Sequence, residues 1–513
     1  MIETQERKEI RSSTPKPPKR WNQLKWYGPG LMWMISSVGS GSVLFTPRVG
    51  SRYGYEYLWA LFIVIFFMWM MIREVGRYTV VSGKTILEGY RDLPGPKNWA
   101  IWLIFLPQLI AAVVTIAGVA ALAGSTLMLG FPGNQAIYAV ALIVLSAALV
   151  ISGQYSKVEQ ATSVMAGVLI VAVLVAALQV FPDPGEFATG LVPGIGADFD
   201  IEFLLPWLGF ILAGAAGIMW FSYWVAAREF GGAVGEPSEG EASDSGSSNS
   251  GSSNSGLSNN GSQNHTSSHN GHSSNYDDDE DFQQRLRDRL KQWMQVMSTT
   301  AAIGVIGGGL VIVAFLVLGA ELLRPEGIIP EGIAVAEDLT RLLSEVWGEF
   351  GYWLLIISVS IALGGTIIAN QDGWPRMFAD ATLILAGDRL QEGDGENGNG
   401  RRRPRSSGRS GWQRWLSNRK HLKDVYVVVT VAVLPLIVFF LVRDPVDILE
   451  VGGIVAAIHT PVVVGLTLYL NKTKLPKSLQ PGWFAFSVMV LSGIFFTVVA
   501  ILYFMIELFG MEL

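Results

Sequence analysis

Blocks of about 20 mainly apolar residues recur along the chain, and they constrain its fold more than any other feature. A helix of that length crosses a hydrocarbon core of about 30 Å. Charged residues make up only 16% of the 513 positions, whereas soluble domains carry about 25%. We therefore predict an all-α polytopic membrane protein rather than a large soluble enzyme. The eleven predicted spans are residues 27–49, 55–81, 99–125, 136–152, 158–181, 203–227, 296–319, 351–371, 425–442, 448–470 and 482–509.

The basic residues of the connections predict the orientation of these spans. Lys and Arg accumulate in cytoplasmic loops, and basic and acidic connections alternate here as eleven spans require. We therefore expect a multi-pass protein of the cytoplasmic membrane, with a cytosolic N-terminus and an extracytosolic C-terminus. The first apolar run is too long for the hydrophobic region of a cleavable signal peptide, so we assign it to the first span.

Two polar insertions divide the membrane part. The first is a Ser/Asn/Gly-rich tract with a composition typical of disorder. The second is rich in Arg and suits either a solvated loop or a surface for anionic lipid. The predicted organisation is a cytosolic tail (1–25), spans one to six (26–230), a disordered cytosolic linker (231–281), an amphipathic helix with spans seven and eight (282–386), a basic cytosolic loop (387–423) and spans nine to eleven (424–513).

Several function classes lack their signatures in this sequence. The chain has no Cys, so disulfides, thiolate metal sites and Cys nucleophiles are excluded. We find no glycine-rich phosphate loop, no HExxH helix and no pair of carboxylates in mid-membrane. The basic residues lie in loops rather than on a face that reads nucleic acid. We expect no enzymatic activity, no cofactor and no nucleic-acid partner, and the sequence leaves the oligomeric state open.

Two spans carry runs of small residues near their midpoints. Gly39-Ser40-Gly41-Ser42 interrupts the first span, and Gly214-Ala215-Ala216-Gly217 lies at a similar depth in the sixth. Irregular backbone at that depth is tolerated where it lines a cavity. Paired interruptions in corresponding spans indicate a transporter built from two inverted five-helix repeats, with its site at the midplane. The predicted substrate site comprises Gly39, Ser40, Gly41, Ser42, Ala216, Met219 and Trp220.

Four short motifs carry a resemblance to a known family. They are Gly28-Pro29-Gly30, the run from Tyr53-Gly54-Tyr55 to Leu58-Trp59, Ser82-Gly83-Lys84, and the segment from Gly365-Thr366 to Asn370-Gln371. With the break in span one, they resemble the Nramp (natural resistance-associated macrophage protein) family of divalent-metal transporters. The resemblance implies an eleven-span fold, alternating access and transport of a divalent metal of the Mn/Fe/Mg class.

The chain departs from the family pattern where the metal is held. Gly39–Ser42 stand in place of the family's Asp-Pro-Gly-Asn, so the ligating carboxylate is absent. Ala216 and Met219 match family ligand positions, but Trp220-Phe221 replace Pro-His. The family's third span carries acidic residues on its proton route, whereas this one has Gln108, Thr115 and Gly118 there. The resemblance therefore leaves Ser42, Ala216 and Met219 as the candidate metal set.

Three hypotheses remain open for what this site does. Neutral oxygens bind a bare divalent cation poorly, but they can hydrogen-bond the water shell of a more fully hydrated ion. A half-helix that begins after Gly41 instead points free N–H groups at a carboxylate. That arrangement looks like the first-helix motif of amino acid–polyamine–organocation transporters, so an amino acid or another carboxylate-bearing solute is the alternative cargo. A third possibility is a protein of this fold that only senses its ligand.

Ionisable residues within the spans are the remaining functional candidates. His459 in span ten titrates near neutral pH in its unperturbed state, so we consider it a candidate for proton coupling. Arg73, Glu74 and Arg77 lie at the predicted inner end of span two, where we expect them to pair with one another or to extend toward the interface.

Overall fold

The computed structural model describes residues 15–18, 20–36, 39–153, 156–233, 274–392 and 418–510. Most of the N-terminal tail, most of the Ser/Asn/Gly tract and the Arg-rich part of the 387–423 insertion lie outside these ranges. Throughout the described part, every regular element is helical. The helices are α1 (Gly28–Ser36), α2 (Thr46–Tyr53), α3 (Leu58–Ser82), α4 (Ile86–Arg91), α5 (Trp99–Gly130), α6 (Gln135–Ser152), α7 (Ser156–Gln179), α8 (Pro184–Thr189), α9 (Ile201–Phe210), α10 (Gly214–Ala227), α11 (Ser274–Leu318), α12 (Val335–Glu392), α13 (Arg419–Val428), α14 (Leu434–Val442), α15 (Pro445–Lys474) and α16 (Trp483–Phe509).

The helices account for the eleven predicted spans. Ten helical stretches of the described residues are long and apolar enough to cross a membrane. Within the first predicted span the structure describes two shorter helices, α1 and α2. Large apolar side chains such as Leu145, Leu178 and Leu441 are 63–78% exposed on the outside of the bundle. A surface of that kind suits lipid rather than water, so the all-α polytopic fold is confirmed.

The break in the first span lies at the predicted motif. Helix α1 ends at Ser36, and the chain continues into a π-helical turn over Gly41–Phe45 before α2 begins. Gly41 is required there by close packing, because a Cβ at this position would lie 2.6 Å from the carbonyl oxygen of Phe210 at the end of α9. The two interrupted spans therefore contact each other at their breaks.

The break in the sixth span lies a few residues earlier than predicted. Helix α9 ends at Phe210, and Leu212 and Ala213 both adopt left-handed backbone angles, with φ of 54° and 67°. Such angles cost about 1–2 kcal/mol for residues with a Cβ, and the full burial of Leu212 helps to hold them. Residues 214–217, predicted as the interruption, instead form the first turn of α10.

Two further helices differ in extent from the predicted spans. The amphipathic stretch and span seven form one continuous helix, α11. Span nine contains a π-helical turn over Val429–Val433. Pro435 explains it, because Pro has no N–H to donate to the carbonyl of Val431 four residues earlier. The side chain of Gln371 donates to that carbonyl at 2.7 Å instead.

Candidate functional site: a neutral polar cavity between the helix breaks

A cavity of about 80 Å³ lies where the two broken spans meet helices α5, α12 and α15. That volume holds several water molecules. Its polar lining consists of neutral side chains: Ser40, Gln108, Thr115, Thr366 and Asn370. The indole rings of Trp220 and Trp374 complete one wall and contact each other edge-to-face, with ring centroids 5.1 Å apart.

The structure brings together most of the predicted substrate site. Gly39, Ser40 and Gly41 of the first break line the cavity, and so do Ala216 and Trp220 of α10. Ala216 lies in the first turn of α10, where backbone N–H groups have no helical partner. Residues from the break in span one and from α10 therefore line the same cavity, although they lie far apart in the sequence.

Ser42 and Met219 do not line this cavity. Both are buried in the surrounding packing, with 1% and 0% of their surface exposed. The Met219 carbonyl accepts a hydrogen bond from the Ser222 hydroxyl at 2.8 Å within α10. Of the candidate metal set, only Ala216 is on the wall.

Helix α12, which contains the eighth span, supplies three lining residues with polar groups that the sequence analysis did not assign to the site. They are Thr366, Asn370 and Trp374 on α12. The first two belong to a motif that carried the family resemblance, and this was a usable signal. Nothing in the sequence pointed to Trp374. Gln108 and Thr115 on α5 were recognised only as neutral residues at acidic family positions.

The cavity carries no formal charge. None of its lining residues is Asp, Glu, Lys, Arg or His. Across the described ranges, no group of three or more His, Asp or Glu side chains could hold a metal ion. The site therefore offers amide and hydroxyl groups, indole N–H donors and backbone carbonyls. Such groups hydrogen-bond water or a small polar solute, and they do not neutralise a bare cation.

His459 is buried next to the cavity without lining it. It is 2% exposed, and its Nδ1 lies 3.0 Å from Nε2 of the lining residue Gln108. Its burial and its contact with a cavity-lining amide make it part of the environment of the site.

Ion pairs lie at both ends of the bundle. At the predicted outer end, Arg48 of α2 pairs with Glu450 of α15. At the predicted inner end, Glu74 accepts hydrogen bonds from Arg77 at 2.7 Å and from Arg73 at 3.2 Å. The expected pairing within the Arg73–Arg77 group is thus present. These charges lie away from the cavity lining; the Arg48–Glu450 pair joins α2 to α15, whereas the pairs at the predicted inner end lie within α3.

Comparison with known proteins identifies relatives of this chain. The family model described as natural resistance-associated macrophage protein-like (Nramp) matches residues 30–231. An uncharacterized protein of Pasteurella multocida is 26% identical over 192 residues, which cover 36% of this chain and 42% of that protein. The divalent metal cation transporter MntH of Aeromonas hydrophila is 30% identical over 116 residues, 22% of this chain and 28% of that protein. The matched segments thus span less than half the length of these relatives.

Solved structures share the fold over nearly the whole chain. A crystal structure of a mutant manganese transporter of Eremococcus coleocola superimposes with a TM-score of 0.63 at 12% sequence identity, covering 98% of this chain and 92% of that one. A complex of the same transporter with an aromatic bis-isothiourea compound gives a TM-score of 0.61 at 12% identity, covering 96% and 89%. This chain is thus similar to the Nramp family over residues 30–231 and shares the fold of a solved manganese transporter over nearly its whole length, with Gly39–Ser42 at the first break.

Proposed function

We propose that this protein is a secondary transporter that moves a divalent metal ion of the Mn/Fe/Mg class across the cytoplasmic membrane by alternating access. The match of residues 30–231 to the Nramp family model supports this proposal, as do the names of its relatives, which include divalent metal cation transporters. The observation that carries it is the polar cavity at the junction of the two helix breaks. Half-helices that meet in mid-membrane are the arrangement from which transporters of this kind build substrate sites.

The neutral lining favours a cargo that keeps part of its water shell. A divalent cation stripped of water needs several oxygen ligands, usually including a carboxylate. The cavity has no carboxylate, but it has room for several waters and has hydroxyl and amide oxygens to accept from them. Mg²⁺ dehydrates reluctantly and usually keeps several waters. Within the proposed class, hydrated Mg²⁺ therefore suits this site better than bare Mn²⁺ or Fe²⁺.

Uptake into proteoliposomes tests the proposal. Purified protein is reconstituted with a dye inside that responds to Mg²⁺ and Mn²⁺, and empty liposomes give the background. Asn370→Ala removes an amide from the cavity, so we expect slower uptake. Val451→Ala, at an exposed position of α15, is the matched control. Met219→Ala distinguishes a bare transition metal from a hydrated ion as cargo. Loss of the thioether should slow uptake of a bare transition metal and leave uptake of a hydrated ion unchanged.

Absence of metal flux at millimolar concentration would contradict the proposal and turn attention to the organic cargo. One observation suits that alternative. Nε1 of Trp220 is buried and has no hydrogen-bond partner within the described part of the chain, and an indole N–H can only donate. A carboxylate oxygen would accept from it. Competition by a panel of amino acids distinguishes this outcome, and binding without any flux would indicate a sensor.

We further propose the predicted topology and domain organisation, with a cytosolic N-terminus, an extracytosolic C-terminus, both polar insertions in the cytosol and membrane lipid around the bundle. No catalytic activity is part of this proposal. Because the chain has no Cys, a single introduced cysteine reports sidedness directly. Lys477→Cys should be labelled by impermeant maleimide only after the cells are opened, whereas Glu186→Cys should be labelled in intact cells. The reverse result would invert the topology.

A further inference from the structure

Gln108, which lines the cavity, is held at both atoms of its side-chain amide. Nε1 of Trp374 lies 2.9 Å from Oε1 of Gln108. Nδ1 of His459 lies 3.0 Å from Nε2 of the same amide. The three side chains come from helices α12, α5 and α15, and each is at most 3% exposed. The orientation of this amide is therefore set by two other spans.

The donor and acceptor roles in this chain follow from the indole. An indole N–H can only donate, so the amide atom that faces Trp374 is the carbonyl oxygen. The NH₂ group then faces His459 and donates to it. Nδ1 of His459 must be unprotonated to accept, so the proton of the neutral ring is on Nε2. The contact with Trp374 thus fixes the tautomer of His459 through the Gln108 amide.

The other ring nitrogen of His459 is not engaged in this chain of hydrogen bonds. Nε2 is buried and has no hydrogen-bond partner within the described part of the chain. The tautomer is therefore set by the Gln108 amide at Nδ1 alone.

We propose that His459, in its neutral Nε2–H form, is a positioning residue that acts with Trp374 to fix the Gln108 amide for contact with the cargo. Oε1 keeps one lone pair and Nε2 keeps one hydrogen for that contact. Both groups of the Gln108 amide are uncharged, so they can hydrogen-bond the water shell of an ion. In this respect the inference rests on the proposed function. His459 then needs only an acceptor at Nδ1, which differs from the proton-coupling hypothesis drawn from the sequence.

Substitutions of His459 separate positioning from proton coupling. His459→Asn places an amide oxygen near the position of Nδ1 but has no titratable group, whereas His459→Leu removes the acceptor. We expect His459→Leu to raise the KM for Mg²⁺ uptake roughly three- to tenfold, the range of one hydrogen bond, with little change in kcat. Trp374→Phe should act in the same direction. His459→Asn should remain within about twofold of the unmodified protein, and Val451→Ala is the control. If folded His459→Asn is as impaired as His459→Leu, the positioning role is wrong.

A measurement without cargo tests the tautomer itself. In ¹⁵N-histidine-labelled full-length protein, we expect one ring with an unprotonated Nδ1 and a protonated Nε2 at neutral pH, and its resonances should be absent from His459→Asn. Trp374→Phe should broaden or shift them, because the amide is then free to turn over. A ring protonated at Nδ1 would overturn the proposal. This readout does not depend on transport, so it stands even if the unmodified protein carries no metal.

Discussion

Arg48 donates from Nη1 to Oε1 of Glu450 at 2.9 Å, and this bond joins the second half of the first span to the tenth span. The guanidinium is only 3% exposed and lies over the ring of Phe203 from α9, 4.7 Å from its centroid. Oε1 of Glu331, in the connection before α12, lies 3.6 Å from Nη2 of Arg48. One buried cation thus contacts three segments outside its own helix.

Glu450→Gln should lower stability because it leaves a buried guanidinium without its nearest countercharge. Breaking a fully buried pair costs about 3–5 kcal/mol. Because the Glu450 side chain is 31% exposed, we expect about 1–3 kcal/mol here. The measurement is the thermal unfolding midpoint of detergent-purified protein. Arg341→Gln breaks the exposed pair with Glu326 and should cost under about 1 kcal/mol. Equal effects of the two variants would show that burial of Arg48 is unimportant.

Gly41→Ala should separate the two helix breaks. The added Cβ would lie 2.6 Å from the Phe210 carbonyl oxygen, which is too close for any side chain, so the backbone must move. We expect at least a tenfold loss of uptake, about 1.4 kcal/mol, together with destabilisation of about 1–3 kcal/mol. Gly465→Ala on α15 is the control, since its Cβ would meet nothing within 4 Å. Unchanged uptake in Gly41→Ala would mean that contact between the breaks is dispensable.

Substitutions of the neighbouring residues Asn370 and Gln371 should affect different properties, uptake in the first case and stability in the second. Asn370 lines the cavity, so Asn370→Ala should slow uptake while leaving the unfolding midpoint nearly unchanged. Gln371 is fully buried and donates to the carbonyls of Val431 and Ile143. Gln371→Leu should cost about 1–3 kcal/mol by leaving the Val431 carbonyl, which Pro435 cannot serve, without a donor. Measuring both quantities for both variants checks the assignment, and an exchange of the two phenotypes would contradict it.

Glu74→Gln should be the most destabilising of these substitutions. The Glu74 carboxylate is 0% exposed and pairs with Arg77 and Arg73, while Asn471 of α15 donates to the Glu74 backbone carbonyl at 2.9 Å. Removing the charge leaves the buried Arg77 guanidinium and the partly exposed Arg73 guanidinium without their countercharge, at a cost of about 3–5 kcal/mol. Monodisperse yield and the unfolding midpoint measure the effect. Glu88→Gln, in the exposed capping box of α4, should lower the free energy of unfolding by about 0.5–2 kcal/mol. A smaller effect at Glu74 than at Glu88 would refute this account.

The spans and the presence of two breaks could be predicted from sequence because their causes are local. Hydrophobic length determines whether a segment crosses a membrane, and small residues in mid-span mark an interruption. The position of the second break was less accessible, since Leu212 and Ala213 are ordinary helix formers that tertiary packing holds in left-handed conformations. The candidate site was predicted in part: Gly39–Gly41, Ala216 and Trp220 face the cavity, while Ser42 and Met219 do not line it.

The sequence alone determined the class of protein, the number of spans and the loss of the carboxylate from the first break, because each depends on which residues occur within a short segment. Only the tertiary structure decided which polar groups meet. Gln108 contacts Trp374, 266 positions away in the sequence, and His459, 351 positions away. Gln371 donates a hydrogen bond to the Val431 carbonyl, to which Pro435 has no N–H to donate. These partnerships form because a buried polar group must find a partner wherever helix packing places one, and no local pattern contains that information.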